Sequence, residues 1–455
     1  MKIKIAGAGA GKTTSMAESI IHLCSETEEY LKIFCITFTN SAAKCIREKI
    51  ITHYGYIPEN IVISTIHSFL YREFIRPYYY LLYNKQYIRI STINLPEKVQ
   101  YKNYAIGGLE SRNILHQTLI PKRAKWIIVK KSNDIKAIKE KRAIILKQFK
   151  SYCKAICIDE AQDIDNDMLE IVIALDRIGI PVVLMGDPKQ DLNGYKCLRK
   201  LVKKYPQATE YITFCHRCPQ KHLDLANLII PEKEKQHSDK QEGIISVIFS
   251  SENKCEELVS NGNFDLKYIS KKQGIYETHE NGKTEDIKEN IFEELIVPIR
   301  EKFPNTTELD LMRFSYYLTE KLLKNYASLK NEKEAMKQTF GKIYLDKKVY
   351  AKIIDLISKK TQNNRKEVIS ISSIDVIKGQ EGNKCLFILT NDLAEYMFGK
   401  KEDDTVFKNK LYVALTRSLN ELVIYVTPEV ECKYGRDLIN SFKNFYSISL
   451  IKNIS

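Results

Sequence analysis

Nowhere in this 455-residue chain is there a run of the roughly 18–20 apolar residues that a membrane-spanning helix requires. The first residues pass straight into a strand pattern without the charged, apolar and small-residue regions of a signal peptide. A cytoplasmic protein without a membrane partner is expected. There is no internal repeat and no low-complexity tract, so repeat arrays and tail-like segments are excluded. A disulfide framework is also missing. The eleven cysteines are scattered, and Cys24, Cys35, Cys45, Cys153 and Cys157 include several inside runs that read as buried strands, which suits a reducing compartment. Cys215-His216-Arg217-Cys218 with His222 has the look of half a zinc site, but no second CxxC or HxxxH pair accompanies it. Acid is in deficit. Asp and Glu total 57 against 71 Lys and Arg, a formal charge of +14. That balance favours a polyanionic partner such as nucleic acid, although a Lys-rich soluble protein would show it too.

What is present is a chain too long for one ordinary core. Lys2 to Ala6 reads as a strand, followed by a Gly/Ala turn and a helical pattern with Met16, Ile20 and Ile21 on one side. Ile33 to Phe38, Ile61 to Ser64, Ala155 to Ile158 and Val182 to Met185 read as further buried strands, and their alternation with helices implies a parallel sheet covered on both faces. A second series starts near Tyr211, includes Ile244 to Phe249, and resumes at Val368 to Ile374, Leu386 to Thr390 and Leu422 to Val426. The fold class is therefore α/β, with two parallel-sheet domains that each carry an insertion. The first domain is expected at 1–70 and 151–206, interrupted by a basic insertion at 71–150 containing Lys122, Arg123, Lys125, Lys130, Lys131, Lys136, Lys139, Lys141, Arg142 and Lys147. The second is expected at 207–270 and 365–455, interrupted by a mostly helical, charged insertion at 271–364.

Two motifs carry chemistry. Ala6-Gly7-Ala8-Gly9-Ala10-Gly11-Lys12-Thr13, with Thr14 behind it, fits a phosphate-binding loop between strand and helix. Backbone N–H groups close around phosphates at the helix N-terminus, Lys12 reaches the β/γ-phosphates, and Thr13 offers a hydroxyl to Mg²⁺. Ala155 to Ile158 then leads into Asp159-Glu160-Ala161-Gln162-Asp163, at the carboxyl end of a buried strand where ligands of a parallel sheet collect. Asp159 is placed to hold Mg²⁺, and Glu160 to orient and deprotonate an attacking water. An acidic helix start is the alternative reading of the second motif. Hydrolysis needs both parts, and both are there.

AGAGAGKT, ITFTNSAA (Ile36 to Ala43), STIHSF (Ser64 to Phe69), DEAQD, MGDPKQ (Met185 to Gln190), CHR (Cys215 to Arg217), IDVIKGQE (Ile374 to Glu381) and YVALTR (Tyr412 to Arg417) follow one another through nearly the whole chain. In order and rough spacing they resemble the UvrD/Rep/PcrA-like superfamily 1A DNA helicases. The resemblance implies two RecA-like P-loop domains with an ATP site between them. By that resemblance Gln162 and Gln190 sense the γ-phosphate, and Arg217 and Arg417 reach across from the second domain to stabilise charge on the transferring phosphoryl group. Glu381 would contact the ribose, Gly379 would allow close backbone approach, and His216 stands where relatives stack an aromatic on adenine. Phe38, Thr39, Asn40, Thr65, His67 and Tyr195 would lie along single-stranded DNA, with the basic run suited to phosphate contacts that position without reading sequence.

The chain departs from that family at several points. Asn193 and Lys196 replace a Tyr and an Arg, Asp375 replaces a His that meets DNA, and Ile269-Ser270-Lys271-Lys272 is a weak match to an arginine-bearing strand end. No adenine-reading Gln motif is expected before the first strand. The compact size resembles the helicase-like subunit of Gabija-type anti-phage systems, which works beside a nuclease. The expectation is a 3′–5′ helicase or translocase using ATP and Mg²⁺ on single-stranded or 3′-tailed duplex DNA. A DNA-stimulated ATPase subunit signalling to a nuclease is the second reading, and a nucleotide-binding module without turnover the third.

Overall fold

The computed structural model describes residues 1–26, 28, 30–96, 98–271, 276–277, 282–341, 343, 345–358, 369–446 and 448–450. Lys272 and the expected boundary at 364/365 lie outside them. The chain divides into two compact units, the first formed by residues 1–86, 118–272 and 371–455 and the second by residues 87–117 and 273–370.

The first unit contains two six-stranded sheets. One is built from β1 (Lys2–Ala6), β2 (Lys32–Thr37), β3 (Ile61–Thr65), β4 (Cys153–Ile158), β5 (Val182–Gly186) and β6 (Thr209–Ile212), in the order β3-β2-β4-β5-β1-β6. Every pairing is parallel. Its central strands are buried along their length, as in β2, where Ile33, Phe34, Cys35 and Ile36 are all covered, because helices lie on both faces of a parallel sheet. The second sheet contains β7 (Ile244–Phe249), β8 (Leu266–Ile269), β9 (Ser372–Ser373), β10 (Gly382–Leu389), β11 (Ser418–Val426) and β12 (Ser449–Leu450), in the order β9-β8-β10-β11-β7-β12 and again all parallel. The α/β class with two parallel sheets read from the sequence is what the structure contains.

Two details differ from the sequence reading. The second domain was expected to open at residue 207, yet β6 pairs with β1, Ile5 opposite Tyr211, so the chain leaves the first sheet only after Ile212. Short strands at a sheet edge carry little periodicity, and this one of four residues gives no sign of its partner. Much of the expected basic insertion also belongs to the first unit. The helix Lys136–Tyr152 runs directly into β4, and Phe149 packs with Phe34 of β2 and with Phe69 and Phe74 at centroid distances of 4.6–6.2 Å. Within the run, Arg142 is buried against Asp134 and donates to the Trp126 and Ile127 carbonyls at 2.9 and 3.1 Å, while Lys125 pairs with Asp167 and Glu170. These cations hold the fold. Lys122, Lys130, Lys136, Lys139 and Lys147 stay at least partly exposed.

The second unit is mainly helical, with helices Gly282–Lys302, Glu308–Leu329, Glu332–Phe340 and Lys347–Ser358 around a core that includes Leu295, Ile299, Leu318, Leu322, Met336 and Ile353. A short parallel pair, Arg89–Ser91 with Ile114–His116, belongs to the same unit, and Arg89 grips Glu293 through two hydrogen bonds of 2.7 and 2.9 Å.

Candidate nucleotide site and nucleic-acid track

The loop after β1 closes into a tight arc because Gly9 and Gly11 adopt φ of 67° and 72°, a region open to glycine and strained for other residues. Space demands glycine as well. A Cβ on Gly9 would fall 2.3 Å from Arg217 Cβ and 2.9 Å from Cys215 Sγ. Helix α1 (Lys12–Ser25) starts directly after this arc with no side chain capping its N-terminus, which leaves its first N–H groups and its dipole directed at the loop. Lys12 Nζ rests on the Gly7 carbonyl at 3.2 Å. Thr13 Oγ1 donates to Asp159 Oδ2 at 3.4 Å, so a hydroxyl and a carboxylate stand side by side at the end of β4. Two hard oxygen donors next to a phosphate cradle suit Mg²⁺, which is held by few protein ligands and completes its shell with phosphate and water. Thr14 is exposed in the first turn.

Burial, and then the neighbouring Glu160 carboxylate, push Asp159 up to about 7, against the pull of Lys12. A site that crowds two carboxylates without a cation is electrostatically unfinished, and a divalent ion would relieve it. Glu160 sits in the left-handed region at φ 55°. It accepts a hydrogen bond from Gln162 Nε2, whose Oε1 takes the Asp187 N–H at 2.9 Å, and Gln190 Nε2 reaches Asp187 Oδ2 at 3.0 Å. Glu160, Gln162, Asp187 and Gln190 thus form one hydrogen-bonded chain across the ends of β4 and β5. Burial opposes ionisation of Asp187, but Lys189 and Lys12 outweigh it and hold the carboxyl below its usual range.

Cys215, His216 and Arg217 lie against the phosphate loop, with the His216 N–H bonded to the Gly9 carbonyl at 2.9 Å. The exposed His216 ring meets Phe214 edge-on at 4.6 Å. Arg217 Nε is 2.6 Å from Glu381 Oε2, an ion pair at an angle outside hydrogen-bond geometry, so Glu381 is engaged by the arginine. Gly379 turns with φ 85° and has open space beside it. Arg417 is fully buried, giving hydrogen bonds to the carbonyls of Val413 and Gln380 at 3.1 and 3.2 Å. Burial and the nearby Arg217 both press against its charge. The structure therefore brings Lys12, Thr13, Asp159, Glu160, Gln162, Gln190 and Arg217 to one locality, and holds Arg417 behind them on its own domain's backbone. His222, grouped with the CxxC in the sequence, turns its Nε2 to the Ile244 carbonyl at 3.2 Å. No cluster of three or more metal-binding side chains occurs among the described residues.

The second candidate locality is a cavity of about 480 Å³ whose lining includes Phe38, Thr39, His67 and Tyr195 together with Asp163, Asp165, Asn193, Asp375 and Lys378. Asn40 and Thr65 are not in its wall. Asn40 is the exposed first residue of helix α2 (Asn40–Tyr54), which Thr39 caps through the Ala42 N–H at 3.2 Å. Thr65 uses its hydroxyl on Ser68 at 3.0 Å. Three acids in the wall were not foreseen as a group. Asp163 receives Lys378 Nζ on both oxygens at 2.7 Å, and Asp375 receives Lys410 Nζ at 2.6 Å. Asp165 caps the helix Asn166–Arg177. Burial lowers the pKa of His67, and Asp165 partly offsets it.

Two parallel sheets, a phosphate loop, and a Thr/Asp/Glu set at adjoining strand ends define a P-loop nucleoside-triphosphatase. Residues 1–195 match the family model described as an AAA domain. The chain is 29% identical over 253 residues, 53% of its length and 49% of the relative's, to the Gabija protein GajB of Bacillus cereus (strain VD045). Over 93 residues, 17% of its length, it is 34% identical to an ATP-dependent helicase/nuclease of Heliobacterium modesticaldum (strain ATCC 51547 / Ice1), covering 7% of that relative. The chain spans about half the length of the first relative. It belongs to the UvrD-like helicase family and is a helicase-family ATPase. No helix among the described residues is long and apolar enough to cross a membrane.

Proposed function

We propose that the chain is an ATP- and Mg²⁺-dependent motor that moves 3′ to 5′ along single-stranded DNA in the cytoplasm, with Lys12, Thr13, Asp159, Glu160, Gln162, Gln190, Arg217 and Arg417 as its hydrolytic set. The observation that carries the reading is the hydrogen-bonded arrangement that joins Thr13 to Asp159 and Gln162 to Asp187 and Gln190. Lys12 and the N–H groups at the start of α1 would hold the phosphates, and Mg²⁺ on Thr13 and Asp159 would neutralise charge on the transferring group. Glu160, oriented by Gln162, would take the proton of the attacking water. His216 and Gly379 would border the nucleoside. Phe38, Thr39, His67 and Tyr195 would meet the strand, stacking being indifferent to sequence, with Asn40 and Thr65 at its margin.

The named relative from a Gabija system favours a second reading, a DNA-stimulated ATPase subunit that reports to a nuclease without strong unwinding of its own. One assay separates the two. ATP hydrolysis is measured with and without single-stranded DNA, beside strand displacement on a 3′-tailed duplex. Stimulation with displacement supports the motor, and stimulation without displacement supports the sensor. Hydrolysis indifferent to DNA and RNA refutes both.

A further inference from the structure

Gln236 belongs to none of the motifs, yet its side chain is hydrogen-bonded to the phosphate loop itself. It is 3% exposed. Its Nε2 donates to the Ala8 carbonyl at 2.9 Å, and its Oε1 accepts from the Tyr412 hydroxyl at 2.6 Å. That same hydroxyl accepts the Ala8 N–H at 2.9 Å. The two side chains thus hold both polar groups of Ala8 in a closed three-membered ring of hydrogen bonds. A Cβ on Gly7 would lie 2.2 Å from Gln236 Cδ, so the absence of a side chain at Gly7 is what admits the amide.

The backbone of Gln236 is fixed from behind. Asn227 accepts its N–H at 2.9 Å and donates to its carbonyl at 2.8 Å. One residue on, His237 exchanges backbone bonds with Thr213 and Cys215 at 3.1 and 2.8 Å, on the segment that leads to Arg217. Two residues earlier, buried Glu234 takes Lys189 at 3.2 Å and also Arg199. Tyr412 lies on helix α3 (Val406–Leu415), and Arg417 stands just past its end. Ala8 precedes the N–H groups from Gly9 onward, so the clamp leaves the inner face of the loop open to phosphate.

We infer that Gln236 is a positioning residue for hydrolysis, fixing the Ala8 peptide of the phosphate loop in register with the Tyr412 helix that leads to Arg417. The inference rests on the ATPase reading but not on movement along DNA. Because the phosphate-binding N–H groups are not among the clamped ones, losing the clamp moves the loop relative to the arginine and slows turnover while leaving nucleotide affinity in place.

The test uses the full chain and three variants: Gln236→Met, which keeps length and volume but makes no hydrogen bond, Tyr412→Phe, and the pair together. Basal kcat and KM for ATP are measured without DNA, beside affinity for a fluorescent non-hydrolysable ATP analogue with Mg²⁺. Each single variant is expected to lower kcat about tenfold, the rate equivalent of one neutral buried hydrogen bond, with analogue affinity changed less than about threefold. The double variant should be no slower than the worse single one, because both break one ring. Analogue binding also shows that the variants are folded. Unchanged kcat in Gln236→Met overturns the inference, as does a loss of analogue affinity matching the loss of kcat, or additive losses in the double variant. If wild-type hydrolysis ignores DNA, the motor reading falls and the Gln236 result still stands or falls alone.

Discussion

Replacing Glu160 by Gln should separate nucleotide binding from hydrolysis, and the structure sets both halves of the expectation. Gln is nearly isosteric and carries the same backbone cost at φ 55°. The bond that Glu160 accepts from Gln162 can be taken by the new amide oxygen, so Gln162 keeps its hold on the Asp187 N–H. What disappears is a base and a negative charge. Loss of a positioned general base lowers rate by about 10²–10⁴, roughly 3–5 kcal/mol of activation free energy. The ground state moves the other way. Glu160 is one of the causes, after burial, that push the Asp159 carboxyl up; without that charge Asp159 ionises more readily and binds Mg²⁺-nucleotide at least as well. Single-turnover hydrolysis and analogue affinity, measured on the same preparation, check this. A kcat within about threefold of wild type would remove Glu160 from the base role, since general-base catalysis is worth more than that. Affinity weakened along with rate would show that the substitution disturbs the loop instead.

Tyr195→Ala should weaken binding to a labelled oligonucleotide by about 1–3 kcal/mol while Tyr195→Phe leaves it near wild type, read by fluorescence anisotropy at one fixed salt concentration; equal effects would place the hydroxyl rather than the ring at the strand. Asp134→Ala strands Arg142, whose buried guanidinium then keeps only carbonyl and hydroxyl partners, and should lower the stability of the first denaturant transition by about 3–5 kcal/mol. Burial holds His222 down to about 4. Its folded value lies below its unfolded one, so its stabilising contribution is complete above about 6.5 and is lost as pH falls toward 4. Wild type should therefore lose about 2 kcal/mol more than His222→Gln between pH 7 and pH 4.5, by denaturant midpoints at each pH, and parallel losses would contradict the assignment.

The parts of this molecule visible in its sequence are those whose geometry is made by consecutive residues. A phosphate loop is a short segment with fixed glycines between a strand and a helix, so Gly9, Gly11 and Lys12 declare it. The Asp159-Glu160 pair is similar, since a strand end places neighbours together whatever the rest of the chain does. Alternating strands and helices likewise announced two parallel sheets. Contacts made across the chain leave no such trace. Gln236 meets Ala8 across 228 positions, and a glutamine in a charged loop has no pattern to mark it. The basic run misled for a related reason: periodicity cannot tell Arg142, committed to Asp134, from exposed Lys139. Arg417 was legible as a motif residue, but its present bonds to Val413 and Gln380 belong to packing that no motif encodes.

The acid at Asp375 is where charge pattern and structure have to be weighed together. A carboxylate facing a DNA backbone repels phosphate, and Asp163 and Asp165 line the same cavity. Lys410 and Lys378 change that balance by closing on Asp375 and Asp163. Each pair presents little net charge to a strand, so the cavity wall neither strongly attracts nor repels the backbone. Affinity there would then come from the faces of Phe38 and Tyr195, and the electrostatic part from exposed lysines such as Lys122, Lys136 and Lys139 away from the cavity. The two pairs also differ in what they join. Lys410–Asp375 lies within the second sheet's segments, whereas Lys378–Asp163 ties the residue after the Glu160-Gln162 set to the stretch containing Gly379 and Glu381. A phosphate that draws Lys378 away would free Asp163, one residue from Gln162, and that is a short physical route from strand contact to the hydrolytic residues.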